Sequence, residues 1–165
     1  MAYVRVKNHF LKMSNTYHQI YIHIVFAVKF RAAVLDKKWR VDLFNVIGNI
    51  INESKCKPIL VNGVEDHVHC LIGLRPSISV SELMKTVKAK SSKYINSSSL
   101  TSNRFEWQEG YGVFSVDESK IAEIYKYIKN QEEHHQTQKL TEEYCIMLNK
   151  NGIAYDLNYI FQPLI

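Results

Sequence analysis

The chain has no run approaching the roughly 18–20 consecutive apolar residues of a membrane span, which argues against an integral helical membrane protein. Its beginning shows no continuous hydrophobic segment followed by a small-residue cleavage site, so no secretory leader is expected. Cysteine is scarce: Cys56, Cys70 and Cys145 stand far apart without a CxxC pair. That odd, scattered set fits neither a disulfide framework nor a zinc ribbon, and it predicts reduced thiols in a cytoplasmic protein. No internal repeat, low-complexity segment or interdomain linker is present either. What is there is a chain of 165 residues, 46% hydrophobic and 22% charged, sufficient for one domain with a real core and unlike a disordered protein. The formal net charge of +5 is compatible with a phosphate-rich partner. Residues 1–13 carry Arg5, Lys7 and Lys12 without hydrophobic period and read as a basic extension. Residues 14–165 read as a single domain.

The stretch from Gly63 to Leu74 combines a turn with a strand carrying two histidines on alternate residues. Side chains alternate across a strand, so His67 and His69 share a face, with Cα atoms roughly 6.5–7 Å apart. Val68, Cys70, Ile72 and Leu74 form an apolar opposite face that belongs in a core. The strand alone leaves two readings open, a metal-binding pair and a satisfied half-buried pair.

The surrounding pattern supplies a fold. Ile20, Ile22, Ile24, Phe26 and Val28 alternate within a strand expected over Tyr17 to Val28. Lys29-Phe30-Arg31 follows, either a solvated strand exit or a nucleic-acid contact. After Asp36, apolar residues from Trp39 to Ile51 recur at helical spacing. Lys37, Lys38 and Arg40 crowd the first turn of that helix, the wrong end for its dipole, which hints at phosphate contact. Lys57 to Asn62 reads as a strand that forms a hairpin with the histidine strand. Ser79 to Glu82 has capping-box spacing and opens a helix to about Ile95 carrying Lys85, Lys88, Lys90 and Lys93. Arg104 to Val116 predicts one or two strands, broken at Gly110 and Gly112. A helix is expected from the capping-box spacing of Ser115 to Glu118 through about His134, and another from Thr141 to Lys150, ended by Asn151-Gly152. The order β-α-β-β-α-β-α implies an α+β fold: a ferredoxin-like antiparallel sheet with an added C-terminal helix.

On that added helix Ile121, Ile124, Tyr125 and Ile128 form the apolar stripe, which makes Tyr125 a core or interface aromatic. Tyr127 falls off the stripe, in line with Gln131 and His134. The two sets complete each other chemically. Two neutral histidines and an amide oxygen can hold a divalent cation, and a tyrosine hydroxyl can attack a phosphodiester once assisted.

His67-Val68-His69 resembles the HUH motif, and Tyr127 to Gln131 resembles the tyrosine motif of single-tyrosine transposases of the IS200/605 group of insertion sequences. The resemblance runs from about Tyr17 to His135 and includes Asp66 and Trp107 to Gly112. It implies cutting and rejoining of single-stranded DNA at hairpin-marked ends through a 5′-phosphotyrosine, with Mg²⁺ or Mn²⁺ and no nucleotide cofactor. By the same resemblance Tyr127 is the nucleophile, and His67, His69 and Gln131 are the metal ligands. It also implies a homodimer in which the tyrosine helix can complete the partner's site. Lys29, Arg31, Lys85, Lys88, Lys90 and Lys93 are the expected DNA contacts. Two alternatives stand beside this reading. One is a domesticated relative that processes chromosomal hairpins. The other is a non-catalytic nucleic-acid-binding module using Tyr21, Phe30 and Trp107. A structural zinc site including Cys70 is disfavoured, because Cys70 should point away from both histidines.

Overall fold

Period-two alternation builds the centre of the molecule. In the computed structural model, which describes residues 16–136 and 139–160, β1 (Tyr21–Ala27) lies between β3 (His67–Gly73) and β4 (Gly112–Val116). With β2 (Lys57–Gly63) beside β3, the strand order is β2-β3-β1-β4. Every neighbouring pair is antiparallel. This is the expected ferredoxin-like sheet. The expected basic extension, residues 1–13, lies outside the described residues.

Ile22, Ile24 and Phe26 of β1 and Val68, Cys70 and Ile72 of β3 face one way into the main core. There they meet Leu43, Ile47 and Ile51 of α1 (Arg40–Glu53) and Leu83, Val87 and Ile95 of α2 (Val80–Ser97). Each such side chain contributes roughly 1.5–3 kcal/mol by leaving water. The other face carries His23, Val25 and Ala27 of β1 with His67, His69 and Leu71 of β3, by the same alternation. It is covered by α3 (Ile121–Lys129), α4 (Gln131–His134) and α5 (Leu140–Lys150), with the short α6 (Leu157–Ile160) beyond. Leu140 and Leu148 of α5 pack there against Val25, Ala27 and Phe114.

Two glycines set close approaches. A Cβ at Gly63 would sit 2.2 Å from the carbonyl oxygen of His67, so only glycine lets the chain turn there into β3. A Cβ at Gly112 would sit 2.5 Å from the ring of Tyr144, so glycine also lets α5 lie against β4.

Several boundaries depart from expectation. β1 starts at Tyr21, not Tyr17: residues 16–20 are exposed, with the Ile20 carbonyl accepting from the Leu74 amide at 2.7 Å just beyond the end of the β1–β3 ladder. Arg104 to Tyr111 forms no strand beyond the single bridge of Trp107 to Val28. Ser79 caps α2 as its spacing predicts, with Oγ accepting from the Glu82 amide. At the second capping-box spacing Asp117, not Ser115, caps, through its Oδ1 and the Ser119 amide. The helix expected to reach His134 breaks at Asn130 (φ −95°, ψ 20°) into α3 and α4. Tyr125, expected as a core or interface aromatic, is 38% exposed and so is not part of this chain's core. Arg40 is buried and paired with Glu132 and Glu65, so it is not available to phosphates. No helix among the described residues is long and apolar enough to cross a membrane.

Candidate active site

The two histidines of β3 are fully buried and are oriented from behind by different partners. His67 Nδ1 donates to Asp66 Oδ1 at 2.7 Å, which leaves its Nε2 presenting a lone pair. His69 Nδ1 shares a hydrogen bond of 2.9 Å with His23 Nε2. With that proton on His69 Nδ1, His69 Nε2 also keeps its lone pair. His23 pairs with Leu71 in the sheet, which places it diagonally across from His69. His69 Nε2 is buried and makes no hydrogen bond.

α3 and α4 bring the other groups over this pair, within the same chain. The Tyr127 ring lies 5.9 Å from that of His69 and 6.2 Å from that of His23. Gln131 is fully buried, and its Oε1 is 3.4 Å from His67 Nε2. Its Nε2 donates to Glu143 Oε1 at 2.9 Å, which turns the amide oxygen toward the histidines. The Asn130 break is stabilised by Asn62 of β2, whose Nδ2 donates to the Ile128 and Lys129 carbonyls at 2.7 and 3.2 Å. Tyr127 and Gln131 thus both lie over the histidine pair, on two helices rather than the one expected.

Glu143, on α5, is the residue the sequence reading missed. Its carboxylate accepts from the Tyr127 hydroxyl and pairs with His135 Nε2 at 2.7 Å. Donor atoms of His67, His69, His135 and Glu143 all lie within 4.8 Å of one another. The set fits a divalent cation. A lone pair of His67 faces the amide oxygen of Gln131, and His69 Nε2 is buried without a proton donor, so a cation is the species that would satisfy all three.

Burial governs the protonation of this pocket. It pushes the His69 imidazole well below its usual range, helped by His67, His23 and His135, and so keeps it neutral. It takes His23 down to about 4. It raises Glu143 to about 7, with His67 pulling down and Asp66 pushing up. Burial also pushes Asp66 up, but the His67 hydrogen bond and charge, with His135 and Arg31 behind them, hold it below the usual carboxylate range. Cys70 sits in the opposite core, its thiol pushed far up by burial, and takes no part.

The expected DNA contacts separate into two groups. Lys85 and Lys93 are exposed on α2. Lys88 instead donates to the carbonyls of Gln108 and Gly110, and burial lowers it to about 8. Lys90 pairs with Glu53 at 2.8 Å and Lys29 with Glu106 at 2.5 Å. Phe30 and Arg31 adopt left-handed φ of 57° and 51°, and Arg31 reaches Thr141 of α5. Trp107 is buried with its Nε1 donating to Ser91, which removes it from the aromatic platform of the binding-module alternative.

A family described as "Transposase IS200 like" matches residues 16–131. The ISDra2 transposase TnpA of Deinococcus radiodurans is 25% identical over 136 residues, which span 79% of this chain and 97% of that protein. The transposase for insertion sequence element IS200 of Salmonella typhimurium is 30% identical over 114 residues, 66% of this chain and 74% of its own length. A crystal structure described as a transposase of Deinococcus radiodurans R1 superposes with a TM-score of 0.59 at 25% identity, covering 73% of this chain and 96% of that one. A tyrosine transposase bound to a REP hairpin shares the fold at a TM-score of 0.55 and 12% identity, covering 93% and 92%. With its paired histidines and Tyr127-to-Gln131 motif inside the matched segment, the chain belongs to the IS200-like transposase family.

Proposed function

We propose that this transposase cuts and rejoins single-stranded DNA at hairpin-marked ends, with Tyr127 as nucleophile and His67, His69 and Gln131 as metal ligands. The convergence of Tyr127, Gln131 and both β3 histidines on one pocket carries the reading. The Tyr127 oxygen attacks the scissile phosphorus, the bond to the 3′ oxygen breaks, and that oxygen leaves as a hydroxyl. The 5′ end stays on the tyrosine as a phosphodiester, so rejoining needs no nucleotide cofactor. A divalent cation held there would supply charge neutralisation on the phosphate. Imidazole nitrogens mixed with oxygen donors suit Mn²⁺ somewhat better than Mg²⁺. Asp66 and His23 orient the two histidines; Glu143 takes the Tyr127 hydrogen bond. A cleft of about 690 Å³ lined by Phe114, Ile124, Tyr127, Ile146 and Met147 gives the sugar–phosphate chain room beside the hydroxyl.

The fold neighbour bound to a REP hairpin supports a hairpin substrate and leaves a mobile element or a domesticated chromosomal copy equally open. Action on the chromosome places the protein in the cytoplasm, and a homodimer is the assembly the family implies. The test uses single-stranded hairpin oligonucleotides from the gene's flanks with Mn²⁺ or Mg²⁺. Wild type should form a covalent adduct, and Tyr127→Phe should form none while still binding DNA. An undiminished adduct from Tyr127→Phe would sink the assignment. Mixing Tyr127→Phe with a His67→Ala/His69→Ala variant should stay inactive, since each site is complete in its own chain. Restored adduct would mean that α3 crosses between two chains.

A further inference from the structure

We propose that Glu143 is an acidic ligand of the same metal, delivered by α5 from beyond the segment that the family match covers, residues 16–131. This deepens the metal-dependent reading above and rests on it.

The distances suit a shared ion. Glu143 Oε1 lies 3.6 Å from His69 Nε2, and Glu143 Oε2 lies 3.8 Å from His67 Nε2. Both are too long for hydrogen bonds. Two donors each about 2.1 Å from one ion stand about 3.0 Å apart at right angles and about 4.2 Å apart in line, and both distances fall inside that interval. The carboxylate is also aimed. Gln131 Nε2 holds Oε1 at 2.9 Å and His135 holds Oε2 at 2.7 Å, from two sides. The buried, unpartnered Nε2 of His69 is what it faces.

Charge points the same way. The Glu143 side chain is 3% exposed, and among the described residues no lysine or arginine pairs with it. A buried carboxylate surrounded by imidazoles, an amide and a phenol has hydrogen bonds but no fixed positive charge. A divalent cation between it and the histidines supplies that charge. The same carboxylate then touches both the ion and the Tyr127 hydroxyl, which fixes the nucleophile relative to the metal.

The test is Mn²⁺ titration calorimetry on the full-length, DNA-free protein, with the visible spectrum of the Co²⁺-loaded form. Glu143→Gln keeps the shape and one acceptor oxygen and removes the charge. It should raise the Kd for Mn²⁺ at least tenfold and shift the Co²⁺ bands, with the metal-free melting temperature little changed. Glu143→Asp keeps the charge on a shorter stem and should bind more tightly than Glu143→Gln; it also serves if the glutamine variant does not fold. A Kd for Glu143→Gln equal to or tighter than wild type, or an unshifted Co²⁺ spectrum, overturns the ligand role. Wild type that takes up no Mn²⁺, or His67→Ala/His69→Ala that binds it normally, overturns the underlying metal site and this proposal with it.

Discussion

His23 shows how far a single residue shapes the site through the histidine it supports. It sits behind His69 and is kept neutral by burial, its ionisation moved from 6.5 down to about 4. On acidification the unfolded chain takes up that proton first, so stability present above pH 6.5 drains away between 6.5 and about 4. The full shift corresponds to on the order of 3 kcal/mol. Glu143 has the opposite sign. Its raised ionisation means the folded state binds the proton first, so its contribution is lost as pH rises from 4.5 through about 7. Comparing metal-free wild type with His23→Gln by urea unfolding at pH 7, 5.5 and 4 isolates the first effect. Wild type should lose more stability than the variant over that range; parallel losses would refute the assignment. The residues legible in the sequence were those fixed by a local period: His67 and His69 by alternation, Tyr127 and Gln131 by their four-residue spacing. His23 alternates in β1 just as legibly, but its value depends on a diagonal pairing that needs the strand register. Glu143 looks like an ordinary first-turn acid of α5, and only the docking of that helix brings it to the histidines.

At the level of elements, the hairpin and the broken helix do most of the positioning. Gly63 admits the His67 carbonyl at a distance no side chain tolerates. Gly63→Ala should therefore cost about 1–3 kcal/mol, because the clash is with backbone and no rotamer relieves it. Equilibrium unfolding checks this, and an unchanged midpoint would mean that β2 and β3 can part without penalty. The strand order, both long helices and the α5 terminus at Asn151-Gly152 follow from periodicity and cap chemistry, with Gly152 at the expected left-handed φ of 64°. The Asn130 break was hidden, because the hydrophobic and polar faces keep nearly the same phase across it and its stabiliser, Asn62, belongs to another element. Trp107 misled for a related reason. Its strand-like neighbourhood is held by Ser91 and Lys88 of α2 rather than by a ladder.

For the molecule as a whole, the surplus of positive charge becomes a binding term only where cations are exposed. Lys85 and Lys93 meet that condition, whereas Lys88 is spent on two carbonyls. Hairpin affinity should fall with salt, and Lys85→Ala/Lys93→Ala should make the log–log slope shallower by about 1.5. Lys88→Ala should instead lower the melting temperature by loosening the turn at 108–110. Fluorescence anisotropy across a salt series reads the slope, and a slope unaffected by the double variant would move the DNA path off α2. Five of the seven histidines, His23, His67, His69, His134 and His135, gather around one carboxylate in this small protein. Such a pocket ranks metals by its own preference, and late transition ions outrank magnesium at imidazole nitrogen. At the proposed site zinc is therefore the expected competitor of magnesium and manganese, and added Zn²⁺ should suppress adduct formation. Protein eluted from a nickel column should for the same reason be stripped of metal before Mn²⁺ or Mg²⁺ is added in an adduct assay.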